Sequence, residues 1–306
     1  MAPGLDLMGG GPGTHTEGKD TPTMMRSMFA GVSGLRNHQT MMDVIATNIS
    51  NVNTFGYKAQ RTSFKDALYQ NLSGAAAPGA AGGTNGKQVG LGMTLNSIDN
   101  IVTQGNNQST GVVTDMMIQG DGFFRVAVAG SAWGGAGGND RTAGGEVFTR
   151  AGNFSFDAAG HLVTTEGLYV LGTVTATGNE GRLQVDPATT AAINVDGAGV
   201  VTAIDTAGVA TNVGTISLAK FPNASGLERM GGNLWRESNN SGAAVVGAPG
   251  GAAGHGAVVP GALEMSNVDL ALEFTNMIIA QRGFQANGRA ITTSDEMLSE
   301  LVNLKR

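Results

Sequence analysis

The side chains most able to bind a metal or move a proton are four histidines, His15, His38, His161 and His255. They lie far apart in the chain, and none forms an HExxH pair or another metal-ligand spacing. Cysteine is absent, which removes disulfides, thiolate zinc sites and cysteine nucleophiles together. Gly86-Lys87 lacks both the upstream glycine and the following Ser or Thr of a phosphate loop. Ser27 and Ser33 stand in no nucleophile-elbow context. Gly120 and Gly122 flank Asp121, a pattern that reads as a tight turn needing positive φ rather than as a ligand site. A secreted glycan-active enzyme calls for paired carboxylates in a cleft with aromatic walls. Here aromatics are only 5% of residues, and the most closely spaced acids fall in turns or on helices. An adhesin calls for repeats, and no fixed period is present. The residues therefore point away from catalysis and cofactors, and towards a structural protein.

Composition narrows the partners. The chain has 306 residues, of which 41% are hydrophobic and 14% charged, with 49 glycines and 8 prolines. The glycines follow no strict period, so the chain is not collagen-like. The formal net charge is -6 and no basic face is visible, which argues against a nucleic-acid partner. No apolar run reaches the roughly 18 residues of a membrane-spanning helix, so membrane insertion is not expected. Residues 1–23, rich in Gly, Thr and Pro, read as a disordered extension. They lack the basic and apolar regions of a cleaved Sec signal, so export would use another route.

The pattern along the rest of the chain is α+β. An N-terminal helical segment is expected over 24–72. Its first part carries Met28, Val32, Leu35, Met42, Ile45, Ala46 and Ile49 near a 3.5-residue period, the mark of a coiled-coil seam, with Gln39 filling the gap. Thr54-Phe55-Gly56-Tyr57 ends it with a turn signal, and a short amphipathic segment is expected from Phe64 to Leu72. Residues 73–88 are low-complexity and read as a flexible connector, a hinge or a passive tether. A central β domain is expected over 89–260, with strands at Phe123–Val128 and around Phe148, Phe154, Phe156 and Leu162. Asp196-Gly197 signals a hairpin between 193–195 and 200–204, and glycine-rich loops are expected at 130–145 and 241–257. A closing helix is expected within 261–306, from Ser266 to about Leu304 and roughly 60 Å long. Its seam is Leu270, Phe274, Met277, Gln281, Phe284, Gly288, Ile291 and Leu298. Two seamed helices at opposite ends of the chain predict an antiparallel, coiled-coil rod with the β region between them. A large apolar seam residue contributes about 1.5–3 kcal/mol if fully buried, while ordering the helix costs about 1–2 kcal/mol per residue. One shorter partner helix leaves that balance marginal, so neighbouring subunits are expected to supply more buried surface. Asn48 and Asn51 are candidates for fixing register between subunits, or for turn chemistry, and Asn53 less so.

The motifs carry a resemblance. Ser27-Met28-Phe29-Ala30-Gly31-Val32-Ser33-Gly34-Leu35 and Asn48-Ile49-Ser50-Asn51-Val52-Asn53-Thr54 resemble the N-terminal signature of bacterial flagellar rod and hook proteins. Gln104-Gly105, Ile118-Gln119-Gly120-Asp121-Gly122-Phe123-Phe124 and Phe148-Thr149-Arg150-Ala151-Gly152-Asn153-Phe154 resemble the middle motifs, and 261–306 the C-terminal one. Within the family the hook type is favoured. Gln281-Arg282-Gly283-Phe284-Gln285-Ala286-Asn287, the ending Leu301-Val302-Asn303-Leu304-Lys305-Arg306 and Val89-Gly90-Leu91-Gly92 look like hook protein. The alternative is a distal rod subunit. Only residues 173–213 are available for the outer β domain that many hook proteins carry, which raises that alternative.

The resemblance implies a subunit that passes through the flagellar type III export apparatus and polymerises with itself outside the cell. Its helices would line the tube and its β domain the wall, in a curved hook that transmits torque. The distal rod protein, the hook cap and the hook–filament junction proteins are the implied partners. Family members begin close to the seamed helix, so Met24 or Met25 is expected to be the true start. N-terminal sequencing of isolated filaments should read from Met24 or Met25, and a sequence opening at Met1 or Ala2 would refute this.

Overall fold

The computed structural model describes residues 21–78, 82–127, 145–175, 178–251 and 254–304. Residues 1–20 of the expected extension, and all but the last residue of the expected loop at 130–145, lie outside the described residues. The fold is α+β: helix α1 (Thr21–Ser50), a central β region, and helix α2 (Leu270–Leu304), with the two helices packed together. Pro22 sits in the first turn of α1, where its missing N–H costs nothing. Asp269 caps α2: its side-chain oxygen accepts from Ala271 N at 2.9 Å and from Leu272 N at 3.3 Å. The chain divides into two compact units.

The first unit takes in Met1–Met42, Phe64–Asn96 and Ile278–Arg306. The helices run antiparallel within it, because Ser27 Oγ meets Ser294 Oγ at 3.2 Å and, further along α1, His38 lies against Gly283. The touching positions are small. A Cβ on Gly31 would come within 2.9 Å of Ile291 Cγ1, one on Gly34 within 2.6 Å of Asn287 Nδ2, and one on Gly283 within 2.6 Å of the His38 ring. The tightest contacts on α1 fall at 27, 31, 34 and 38, beside the expected seam, and those on α2 at 283, 287, 291 and 294, which include the expected seam residue Ile291. Glycine takes these places because it lets two backbones approach closely.

In the same unit the structure departs from two further expectations. Residues 64–72, read within a helical segment, are strand at Gln60–Asp66 and again at Tyr69–Ser73. The described residues of the expected connector 73–88 lie in a β arm, in which Tyr69–Ser73 pairs antiparallel with Lys87–Gly90 and Ala76 bridges Thr84; residues 79–81 lie outside the described residues. Alanine and glycine have little strand propensity, but main-chain hydrogen bonds between arms require no particular side chain. The arm is anchored on α1, where Asn37 Nδ2 donates to Met93 O at 2.7 Å.

The second unit takes in Asp43–Ser63 and Ser97–Met277. Its main sheet has the strand order 190–195, 200–205, 210–216, 169–174, 123–127, 146–149, 234–236, 228–231, with further strands branching off. Strand Phe123–Ala127 is buried on both faces. Phe124 points into one core with Ile118, Val126, Val170, Ile216 and Leu218. Its neighbour Phe123 points into the other, with Phe148, Phe221, Leu227 and Trp235. The Asp196 hairpin forms as expected, its carboxylate accepting from Ala198 N and Val200 N, both at 2.9 Å. Residues 190–216 extend the main sheet, which leaves the stretch 173–213 with no outer domain among the described residues. The expected loop at 241–257 contains a strand, Val245–Gly247, on Leu218–Lys220. Ala262–Glu264, in the C-terminal segment but ahead of the helix start expected at Ser266, is also a strand, and α2 itself starts at Leu270.

The glycine contact predicts that Gly34→Leu separates the helices at a cost of about 1–3 kcal/mol. Hydrogen exchange of α1 and α2 amides should accelerate while the β-unit amides stay protected; unchanged helix protection would count against a close-packed seam.

Candidate assembly site

A chain that polymerises needs a surface for its neighbours and a frame that holds that surface in place. The frame lies in the second unit, where both helix bases meet the sheet through buried polar groups. Asn48, fully buried on α1, uses both ends of its amide. Its Oδ1 accepts from Tyr57 OH at 3.1 Å and Gln60 N at 3.0 Å; its Nδ2 donates to Gln60 O at 2.8 Å and to Glu273 Oε1 of α2 at 2.9 Å. Burial pushes the Glu273 carboxyl above its ordinary range, against the Asn48 hydrogen bond, which lowers it. Burial likewise raises the Tyr57 hydroxyl.

A second cluster centres on Glu264, also buried. Lys58 Nζ lies 2.6 Å from its Oε1 and Arg150 Nη1 3.2 Å from its Oε2. Gly105 N donates to Oε1 at 2.9 Å, and Gly56 N to the Glu264 carbonyl at 2.8 Å. Lys58 also donates to Thr103 O at 2.8 Å, and Arg150 Nη2 to Gly120 O at 2.8 Å. Burial holds the Lys58 ammonium below its usual range, and Glu264 opposes that shift. Asn267 completes the frame, accepting from Ala59 N at 2.7 Å and donating to Ile101 O at 2.9 Å. Residues 56–60, soon after α1, are thus tied to Glu264 and Asn267 ahead of α2 and, through Asn48, to Glu273 within it.

The residues singled out in the sequence fall into three places. Asn48 sits in the frame. Asn51 closes α1, donating to Thr47 O at 2.8 Å and accepting from Thr54 Oγ1 at 3.2 Å. Gly120 and Gly122 have φ of +110° and +137° around the turn that receives Arg150. Ile45 is buried, and Met28, Leu35, Met42, Ile49, Met277, Ile291 and Leu298 are half-buried. The rest of the stripe is open: Val32 and Leu270 are exposed, Phe274 is 50% exposed and Phe284 38%. Phe29, at 65%, and Ile278 and Ile279 join them. Lys58, Arg150, Glu264, Asn267 and Glu273 were not foreseen as a site. A lone charge in an apolar strand, as in Ala262-Leu263-Glu264, hints at a buried partner, but spacing cannot pair 264 with 58.

The raised Glu273 carboxyl has a pH consequence. Its folded form binds a proton that the unfolded chain has already released, so its contribution is complete below the ordinary carboxylate pKa and fades as pH rises through the raised value. Glu273→Gln keeps an acceptor for Asn48 without titrating. Urea midpoints taken from about pH 4 to pH 7 should fall less in this variant than in the unsubstituted chain; an equal fall would remove Glu273 as the cause.

Comparison with known proteins agrees with this layout. Residues 28–58 match the family described as "Flagella basal body rod protein", 117–203 "Flagellar hook protein FlgE/F/G D1 domain", and 259–304 "Flagellar basal body rod FlgEFG protein C-terminal". The chain is 46% identical over 284 residues to the flagellar basal-body rod protein FlgG of Bacillus subtilis, covering 92% of this chain and all of that relative. It is 36% identical over 286 residues to the FlgG of Borreliella burgdorferi, again 92% and 100%. The flagellar hook protein FlgE of Borreliella burgdorferi is 31% identical, but the alignment runs over 456 residues for the same 92% of this chain and 100% of that relative. Identity at that level, over nearly the whole chain and with three matched segments in order, makes this protein a member of the flagellar basal-body rod and hook family, a structural subunit of the bacterial flagellar axis.

Proposed function

We propose that this chain is the distal rod subunit of the flagellar basal body, polymerising with itself into a straight segment of the axis. Length carries the choice of rod over hook. FlgG relatives align end to end over 284 and 286 residues, whereas the hook relative needs 456, a surplus this chain has nothing to match. The hook-like residues Gln281–Asn287 and 301–304 lie on α2, within the C-terminal segment matched by a family that spans both kinds of subunit. They do not discriminate between the two.

The means of assembly is the open stripe. Phe29, Val32, Leu270, Phe274, Ile278 and Phe284 stand in water in the single chain. Exposed apolar groups at this density on helices that touch through glycine mark a surface awaiting a partner. Copies of the chain fill that role, with hook protein as the neighbour at one end and the type III apparatus as the route of export. Asn48 acts within the chain in this reading, fixing α1 against α2 rather than one copy against another.

Phe274→Asp should leave thermal unfolding of the β unit unchanged and abolish polymers seen by electron microscopy and sedimentation. Normal polymers from this variant would refute assembly through the stripe. Curved tubes from the unsubstituted chain, in place of straight rods, would restore the hook assignment.

A further inference from the structure

Strand Glu228–Gly231 carries Arg229, a half-buried guanidinium. Every group facing it is uncharged. Its Nε donates to Asn100 Oδ1 at 2.9 Å and its Nη2 to the Lys58 carbonyl. The Tyr57 ring lies 5.0 Å and the Trp235 ring 4.5 Å from its carbon, and the Tyr57 hydroxyl is beside it. The other well-buried cations each have a carboxylate: Lys58 and Arg150 share Glu264, and Arg125 has Glu146 and Glu180. Among the described residues no carboxylate pairs with Arg229. Burial weakens its hold on the proton, and only the neutral Tyr57 opposes that. Buried charges in proteins are ordinarily paired, because a cation withdrawn from water without an anion is costly.

Beside Arg229 is a cleft of about 180 Å³, bordered by Asn51, Tyr57, Asn233 and Trp235. We propose that this cleft receives the carboxylate of an aspartate or glutamate from a second copy of the chain, which supplies Arg229 with its missing anion. The aromatic walls suit the methylene stem of an acidic side chain, and the guanidinium suits its head. Supply matches demand: the chain has 24 acids against 18 lysines and arginines. Asp43, Asp66, Asp295, Glu296 and Glu300 are exposed and form no salt bridge among the described residues. The contact would add a charged lock to the apolar stripe and set orientation between copies, which apolar contact alone does poorly.

The proposal rests on the reading that the chain polymerises, and the test separates the two. The unsubstituted chain is polymerised first and its structure determined by electron cryo-microscopy. A carboxylate of a neighbouring copy should lie within hydrogen-bond distance of Arg229. In parallel, Arg229→Gln, whose amide can still donate to Asn100 Oδ1, should fold as a monomer with a lower melting temperature, because the contacts to the Lys58 carbonyl and the two rings are lost. Its critical concentration for polymerisation should rise at least about tenfold, with a weaker salt dependence. A polymer in which Arg229 faces only solvent or its own chain overturns the proposal alone, as does an Arg229→Gln monomer that polymerises at the unsubstituted concentration. If Arg229→Gln does not fold, the density map decides. Failure of the unsubstituted chain to polymerise overturns the assembly reading and this proposal with it.

Discussion

One buried carboxylate holds the two ends of the polypeptide in register. Glu264 faces Lys58 and Arg150, and all three are out of water. Removing charges from water costs several kcal/mol per ion, and mutual attraction offsets this only when the remaining donors and acceptors are satisfied. Gly105 N, Thr103 O and Gly120 O satisfy most of them here, and Arg150 Nε is left without a hydrogen-bond partner among the described residues. Such a cluster adds little net stability over an apolar core of the same shape, but its geometry is demanding: take away the acid and two cations remain with only neutral partners. What it supplies is uniqueness of arrangement. Residue 58 follows α1 and residue 264 precedes α2, so satisfying Glu264 brings together chain segments 206 positions apart. Asn48, hydrogen-bonded to Glu273, repeats the tie one level up, between the helices themselves.

Helices fixed at their bases need little glue along their length. Gly31, Gly34 and Gly283 let the backbones approach, with Ser27 and Ser294 adding a polar contact. Close glycine packing gains dispersion and gives up the larger burial that leucine or phenylalanine would provide. That surrendered burial is visible on the outside, in Phe274, Ile278 and Phe284. The division is economical for a subunit that must associate. Side chains spent on the internal seam would be unavailable to neighbours, whereas glycines at the seam free the large apolar residues for contact between copies.

Much of this was legible in the sequence, and the misses share a cause. Periodicity located both helices, because apolar residues recur on one stripe whether that stripe faces inward or outward. It could not say that the tightest contacts would fall on Gly31, Gly34 and Gly283 rather than on the large residues beside them, although Ile291 of the expected stripe does meet Gly31. Composition misjudged 73–88 for a related reason. Alanine and glycine predict a flexible tether when taken singly, but the arm pairs through its backbone, and its register with 69–73 and 87–90 is a tertiary fact. The Asp196 turn, by contrast, is local and was readable. The frame around Glu264 was the least accessible, since its charged members, Lys58, Arg150 and Glu264, stand in three separate segments and no spacing rule joins them.

Family resemblance gives the axis more readily than the segment of the axis. Subunits that stack along one tube must present compatible helices at every level, so α1 and α2 are under a common constraint in rod and hook alike. Residues that looked hook-like, such as Gln281–Asn287, lie in the segment matched by a family that spans both kinds of subunit. Differences between a straight segment and a flexing one must arise where the constraint is relaxed, in the sheet and the arm between the helices. There this chain is compact: residues 190–216 complete the main sheet instead of founding a further domain. A wall built from one sheet unit offers neighbours fewer independently movable contacts than a wall with an added outer layer. The short middle therefore argues for a stiff element on mechanical grounds, independently of the alignment lengths that point the same way.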